Sequence, residues 1–358
     1  MADGWTDNPH RSLINFMLYC PKGVCFVKSV DASDVVKDAG TLLKMFEEIA
    51  LWIGPNSIVH FVSNNGSNYK AAGRMLSEKY PSITWSPYAA HSINLVLKDI
   101  AEMDHIVYLA RRASEVTKFV YNHTFLIAWL RKRQGWKEIA RLGATRFATT
   151  FIAMRSLHEH KHDLQAMVTD KSFVNSRYAK SNKGKQAIDI ILDNDFWNDM
   201  DKISKVVRPL MRLLWIVDSD EMPAIGYVHD DMYRAKNAIK KLFKNKKRLY
   251  KPYTRIIKLC WDRTLRCDIY AAAYYLNPAF KYDETSFCSK PEVMSGFLDP
   301  IDSKASAFNL NKTRLMEESR LYSNQEENFS RGLALETAKT TRLDNGDGYD
   351  NGDYDDEF

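Results

Sequence analysis

Two polar positions in the N-terminal third have the place, and in part the chemistry, for metal-assisted reactions. Asp3, in MADGWTDNPHRSLINF, stands just before an apolar hairpin, and Asn64, in VSNNGSN, follows the buried run IVHFV. A strand that ends on a polar loop and then turns into a helix is where α/β proteins place reactive side chains. Metal-dependent phosphoryl transfer needs several carboxylates there, because hard Mg²⁺ ions prefer charged oxygen ligands. Asn64 offers a carbonyl oxygen without charge, and from His60 onward the chain has no acid until Glu78. A lone Asp3 cannot organise two metal ions, and it is equally suited to cap a turn or to bond Thr6.

A second constellation is HEHKH, His158 to His162, which matches the H-E-x-x-H pattern. On one continuous helix the two histidines would lie a turn apart and could hold zinc, with Glu159 as base. No third ligand is marked, and a solvated helix face is the expected reading. The spaced Asp and Gly of DNGDGYDNGDYDDE have the look of calcium-loop chemistry, but no flanking helix pair supports it. Metal ligands are therefore expected at neither place.

Basic residues offer a different chemistry. From Arg234 to Lys251 the chain holds nine Lys or Arg and no acid, among them Lys240, Lys241, Lys244, Lys246, Lys247 and Arg248. A second cluster has Arg131, Lys132, Arg133, Lys137, Arg141 and Arg146 around Trp136 and Phe147. Such side chains can displace counterions from a phosphate backbone without reading its sequence, or can form a solvated surface. KNKKR, Lys244 to Arg248, also has the composition of a nuclear import signal. The net charge of +6 conceals an acidic tail, since residues 344–358 carry six Asp and one Glu against no base; setting those aside leaves +13. A body that basic points to a polyanionic partner.

The elements that position these groups are legible from periodicity. SLINFMLYC and VCFVKSV form a hairpin over residues 12–30, joined by Pro21, Lys22 and Gly23. A helix follows, with Ser33 or Asp34 as cap and Val35, Ala39, Leu42, Phe46, Ile49 and Ile53 as its apolar residues; Gly54-Pro55 ends it. IVHFV suits a buried strand, Tyr69–Tyr80 a short helix, SITW a brief strand, and YAAHSINLVLKDIAEM another helix. This order is a mixed α/β unit, and beyond about residue 104 the pattern is helical to about residue 275. Trp197, Trp215, Trp261, Tyr274 and Tyr275 read as packing residues. Five cysteines in odd number, with no CxxC pair, fit a reducing compartment, and no run approaches the ~20 apolar residues of a membrane span.

Five blocks together carry a family likeness: MADGWTDNPHRSLINFMLYCPKGVCFVKSVDASD, VSNNGSNYKAAGRML, PYAAHSINLVLKDI, GATRFATTFIAMRSL and WDRTLRCDIYAAAYYLNPAFKYDE. In order and spacing, over about residues 1–300, the chain resembles plant hAT-superfamily transposases and their domesticated relatives. The resemblance implies an RNase H-like core interrupted by a helical insertion domain, and DNA cleavage by two aspartates and a glutamate that hold divalent metal. The first aspartate falls on Asp3. The second, in a V-T-D-N-A-S-N stretch, falls on Asn64, and the glutamate's tryptophan-rich segment has no counterpart; MEESRLY is a poor substitute. The family's Cys-x-x-His pair reads Tyr88 and His91 here, which makes His91 a packing or hydrogen-bonding residue rather than a ligand. The zinc finger that the resemblance places upstream is expected to be missing, and with it much of the first core strand.

The expected architecture is thus α/β plus all-α: an incomplete RNase H-like mixed sheet over residues 1–104 and a helical insertion domain over 105–300. A polar region (301–343) and a disordered acidic tail (344–358) follow. The expected protein is nuclear and does not cleave DNA; it binds DNA weakly or engages other proteins, hAT-like ones among them. The implied Mg²⁺ is not expected to be held productively and no other cofactor is implied. No membrane is expected, and a homodimer is doubtful, since the resemblance places the dimer interface in a C-terminal segment that this sequence is not expected to contain. Two rival readings stand beside this: a residual metal-dependent transposase whose partner supplies the glutamate, and a decayed fragment without function.

Overall fold

The computed structural model describes residues 1–20, 22–141, 148–218, 224–283, 286, 288–332 and 336. They group into two compact units: Met1–Pro87, Pro223–Asp230 and Arg266–Phe358 form one, and Tyr88–Met222 and Asp231–Leu265 the other. The boundaries differ from the linear ones expected. Residues 88–104 belong with the helices, and residues 266–300 return to the sheet unit. The reason is local bonding: Tyr270 shares a hydrogen bond with Ser86 and donates to the Pro87 carbonyl at 3.1 Å. The 344–358 tail lies outside the described residues.

The sheet unit holds β1 (Ala2–Thr6), β2 (Ser12–Cys20), β3 (Gly23–Asp31), α1 (Ala39–Ile53), β4 (His60–Ser63), α2 (Ser67–Lys79) and β5 (Thr84–Pro87). Its strand order is β3-β2-β1-β4-β5. β1–β2 and β2–β3 are antiparallel, whereas β1–β4 and β4–β5 are parallel. The hairpin and the two later strands follow the sequence pattern. β1, expected to be largely missing, is a five-residue strand paired to β2 along its whole length, and it meets β4 at Ala2 and Ser63.

The start of α1 also differs. Asp38, not Ser33 or Asp34, is its N-cap and accepts from the Thr41 amide at 2.7 Å. Ser33 is already engaged, donating from its amide to the Asp31 carboxylate at 3.0 Å, so the chain turns before it can begin a helix. Gly54, at φ +95°, ends α1 in a conformation that an L side chain rarely adopts. Phe46 is the hub of this core, with ring centroids 4.8 Å from Phe61, 6.1 Å from Tyr69 and 6.3 Å from Phe16.

The helical unit begins with α3 (Ala89–Ala101), α4 (Asp104–Tyr121), α5 (Thr124–Leu130), α6 (Ala148–Glu159), α7 (Lys161–Thr169), α8 (Lys171–Val174), α9 (Arg177–Lys180) and α10 (Asn182–Leu192). α11 (Asn194–Asp218), α12 (Ile225–Leu242) and α13 (Lys247–Cys260) follow, α12 running across the boundary between units. α11 buries Trp197, Met200, Ile203, Val207, Leu210 and Leu214 at helical spacing, and Trp197 donates from its indole to the Ile191 carbonyl at 2.8 Å. Trp215, expected to pack, is instead 42% exposed, and Trp261 is half-buried. α14 (Asp268–Leu276), α15 (Pro278–Lys281), α16 (Pro291–Ala307) and α17 (Lys312–Ser323) complete the sheet unit. Lys304 of α16 reaches the Val59 carbonyl at 3.1 Å, which ties that helix to the strand side of the unit.

Candidate functional site

Asp3 and Asn64 do come to neighbouring strands. Asp3 lies within β1 rather than at a turn, and the turn that follows is organised by Asp7, which accepts from the Arg11 amide at 2.7 Å. Asn64 extends β4 by one residue and turns its amide onto the backbone of Gly4. The Gly4 N–H donates to Asn64 Oδ1 at 3.2 Å, and Asn64 Nδ2 donates to the Gly4 carbonyl at 2.7 Å. The side chain thereby continues the β1–β4 ladder where the backbone pairing stops. A carboxylate could accept from that N–H but could not donate to that carbonyl.

The space above is filled as well. A Cβ at Gly4 would lie 2.1 Å from the Tyr69 hydroxyl oxygen, so the phenol of α2 occupies the space that any larger residue there would need. Burial, and then the charge of Asp3, push the Tyr69 phenol above its usual range. The one oxygen that Asn64 offers already has a donor, and among the described residues no three His, Cys, Asp or Glu side chains stand together as a ligand group.

A buried polar chain lies on the neighbouring strands. His60 Nε2 and Ser86 Oγ are 2.7 Å apart, and Ser86 Oγ is 3.2 Å from the Tyr270 hydroxyl. Burial, reinforced by the N-terminal amine and Lys304, lowers the His60 imidazole to about 4. With Tyr270 donating onward to Pro87, a neutral His60 that donates to Ser86 satisfies every member of the chain.

HEHKH is not one helix. α6 ends at Glu159 and His160 caps α7, so His158 and His162 belong to two different helices. The reason is packing. His160 donates from Nδ1 to the Ser156 carbonyl at 2.6 Å and sets its ring 4.4 Å from Trp136. Glu159 pairs with Arg155 at 2.9 Å, and burial lowers the His158 imidazole against Trp197. His91 is exposed on the first turn of α3, while Tyr88 caps that helix and donates to Asp218 at 2.9 Å.

The two basic stretches differ. Arg131 donates to Glu138 at 2.6 Å and Arg133 to Asp163 at 2.8 Å, while the Arg141 guanidinium sits 4.1 Å from the Tyr121 ring centre. Arg131, with Tyr121, holds the Glu138 carboxyl below its usual range. Lys132 is exposed, and Arg146 and Phe147 lie outside the described residues.

The second stretch becomes the end of α12, a tight turn and the start of α13. Lys244 and Asn245 take φ of +50° and +57°, and their amides return to the Lys241 and Lys240 carbonyls, closing α12. Lys241, Lys244, Lys246, Lys247 and Arg248 are exposed and Lys240 is half-buried. Two residues missed in the sequence, Arg255 and Lys258, extend this surface. Arg248, Lys251, Arg255 and Lys258 recur at steps of three and four, all exposed, while Tyr253 and Ile257 are buried on the other side. None of these basic groups has an ion-pair partner among the described residues, and no acid occurs from Arg234 to Cys260. Extending the helical period past Lys251 would have found both.

Residues 1–116 match the family model described as a domain of unknown function, DUF659. The match takes in Asp3, Asn64 and the whole five-stranded sheet but neither basic stretch. No curated protein matches the chain.

Proposed function

We infer that this chain is a transposase-derived protein of hAT type that no longer cuts DNA and holds duplex DNA through the α12–α13 face. The observation that carries the binding half is the stripe of Arg248, Lys251, Arg255 and Lys258, exposed and free of acids. It spans ten helical steps, about 15 Å, the rise of roughly four base pairs. Four cations along that length suit a phosphate backbone and contain nothing that reads base edges, so binding is largely independent of sequence.

Two observations support the lineage. The DUF659 match over residues 1–116 is consistent with a transposase-like origin. An antiparallel three-stranded meander followed by two parallel strands, in the order β3-β2-β1-β4-β5, is what an RNase H-like core expects. The loss of cleavage rests on Asn64, whose amide is committed to Gly4 on both of its atoms. The exposed KNKKR turn makes the nucleus the proposed location.

The deciding experiment is fluorescence anisotropy of a labelled 20-base-pair duplex over a salt series. Saturable binding whose affinity falls steeply with salt is expected, with a slope near −4 if the four α13 cations each neutralise a phosphate. Folded protein that fails to bind at low salt would sink this reading. Mg²⁺-dependent nicking that Asp3→Ala abolishes would overturn the claim that cleavage is lost.

A further inference from the structure

We propose that the helical unit carries a second, separate nucleic-acid site, a cavity that takes an unpaired nucleotide with its base on Tyr178 and its phosphate on Arg177. The cavity, of about 450 Å³, lies where the α4–α5 junction meets α9 and the start of α10, and is lined by Asn122, His123, Thr124, Arg177, Tyr178 and Ser181. Its volume is within the range of small-ligand sites.

Hydrogen bonds and ring contacts hold the walls together. His123 donates from Nδ1 to the Phe119 carbonyl at 2.6 Å, and its ring packs 4.7 Å from that of Tyr178. Phe125 lies nearly parallel to Tyr178, with centroids 6.0 Å apart and an interplanar angle of 21°, and is itself 38% exposed. Ser181 caps α10 and donates back to the Tyr178 carbonyl at 2.8 Å, which holds the α9–α10 corner. A rigid aromatic surface of this kind stacks any base at small entropic cost.

The charge beside it suits the other half of a nucleotide. The Arg177 guanidinium lies over the Tyr178 ring, 5.2 Å from its centre, and would move aside toward the phosphate when a base stacks there. Its only polar contact within the described residues is to the Tyr178 hydroxyl at 3.5 Å, and no carboxylate holds it. From Lys171 to Lys185 the chain has five basic residues and no acid; Lys180, Lys183 and Lys185 are exposed without an ion-pair partner among the described residues. Asn122 adds an amide able to meet a base edge. A duplex keeps its bases stacked inside and cannot offer one to this cavity, so the ligand differs from that of α13. The shared chemistry is a nucleoside phosphate, free or within a single strand.

The test uses the full chain and a (dT)12 oligonucleotide that carries 5-iododeoxyuridine, with duplex binding measured in parallel. Photocrosslinking to the peptide that contains Tyr178 is expected. Tyr178→Ala should weaken (dT)12 binding by about tenfold, Tyr178→Phe should retain it, and Arg177→Gln should flatten the salt slope by about 0.7. Duplex affinity should stay unchanged in all three. Competition by dTMP would identify a free nucleotide as sufficient ligand, and competition by unlabelled (dT)12 alone would identify the strand. Folded wild-type protein that does not bind (dT)12, or that crosslinks only elsewhere while Arg177→Gln changes nothing, overturns the proposal. A crosslink at Tyr178 in a protein that ignores duplex would sink the α13 reading and leave this one standing.

Discussion

The stretch around Arg131–Arg141 and the α12–α13 stretch are similar as sequence and opposite in space. In the first, Glu138 and Asp163 take the guanidinium groups of Arg131 and Arg133, and the Tyr121 ring takes that of Arg141. In the second, no acid occurs between Arg234 and Cys260, and the exposed cations of α13 face solvent without ion-pair partners among the described residues. Charge density is therefore a poor guide to charge that is available. The sheet end repeats the closed case with neutral groups, since Asn64 gives both of its amide atoms to Gly4. Closed groups should register in stability and leave binding alone, and open groups should do the reverse.

The largest effect is expected where the surface is open. Replacing Arg248, Lys251, Arg255 and Lys258 together by Gln should reduce duplex affinity at low salt by roughly a hundredfold or more and flatten the salt slope by about 3 to 4, because each lost phosphate contact removes about 0.9. The melting temperature should barely move, since solvated charges contribute little to folding. A large loss of stability with unchanged binding would place these residues in the closed class and end the contrast.

Next comes the buried polar chain of the sheet unit. Burial lowers His60 to about 4 in the folded protein, below its ordinary value near 6.5, so the unfolded chain binds the extra proton between those values. The stability this provides is fully present above pH 6.5 and is lost as pH falls through the window toward 4. Its size is up to about 3 kcal/mol at roughly 1.36 kcal/mol per pH unit. Urea unfolding from pH 7.5 to 4.5 should therefore show a steeper decline in the wild type than in His60→Gln. Parallel declines would mean that His60 is not held neutral by its surroundings.

How much of this was legible depends on how local each cause is. The hairpin, the Gly54 stop and α11 follow from alternation, turn chemistry and apolar spacing, all contained within about twenty residues. The cap of α1 lies later than the pattern places it because Asp31 captures Ser33, a competition between two turn-forming side chains that composition does not rank. HEHKH breaks at His160 because Trp136, more than twenty residues earlier, gives that imidazole a packing partner. Asn64 could be read as a lost charge, but its pairing with Gly4 spans sixty residues and needs the parallel β1–β4 register. Acid-free runs were visible throughout, whereas the distant Asp163 that closes the first basic cluster was not.

Asn64→Asp tests the closed sheet end directly. The carboxylate can still accept from the Gly4 amide but leaves the half-buried Gly4 carbonyl without its donor, at a cost of about 1 kcal/mol, since water can partly replace that bond. Thermal melts should show that loss, and nicking in Mg²⁺ should remain absent. A variant that regains its stability when Mg²⁺ is added would instead mean that Asp3 and residue 64 can still share a metal, and the sheet end would move to the open class.

The smallest effect, and the sharpest comparison, belongs to the first basic stretch. Arg131→Gln with Arg133→Gln should change duplex affinity by less than about twofold, and stability by no more than about 1 kcal/mol per exposed pair. The reciprocal change is more informative. Glu138→Gln with Asp163→Asn keeps both arginines and removes the acids that hold them, so two guanidinium groups become free to meet phosphate. The salt slope for duplex should then steepen by up to about 2, the signature of two new phosphate contacts. If freeing them adds nothing, then a basic surface needs the linear spacing of α13 as well as unpaired charge. The contrast between the stretches would then be one of geometry and not of neutralisation.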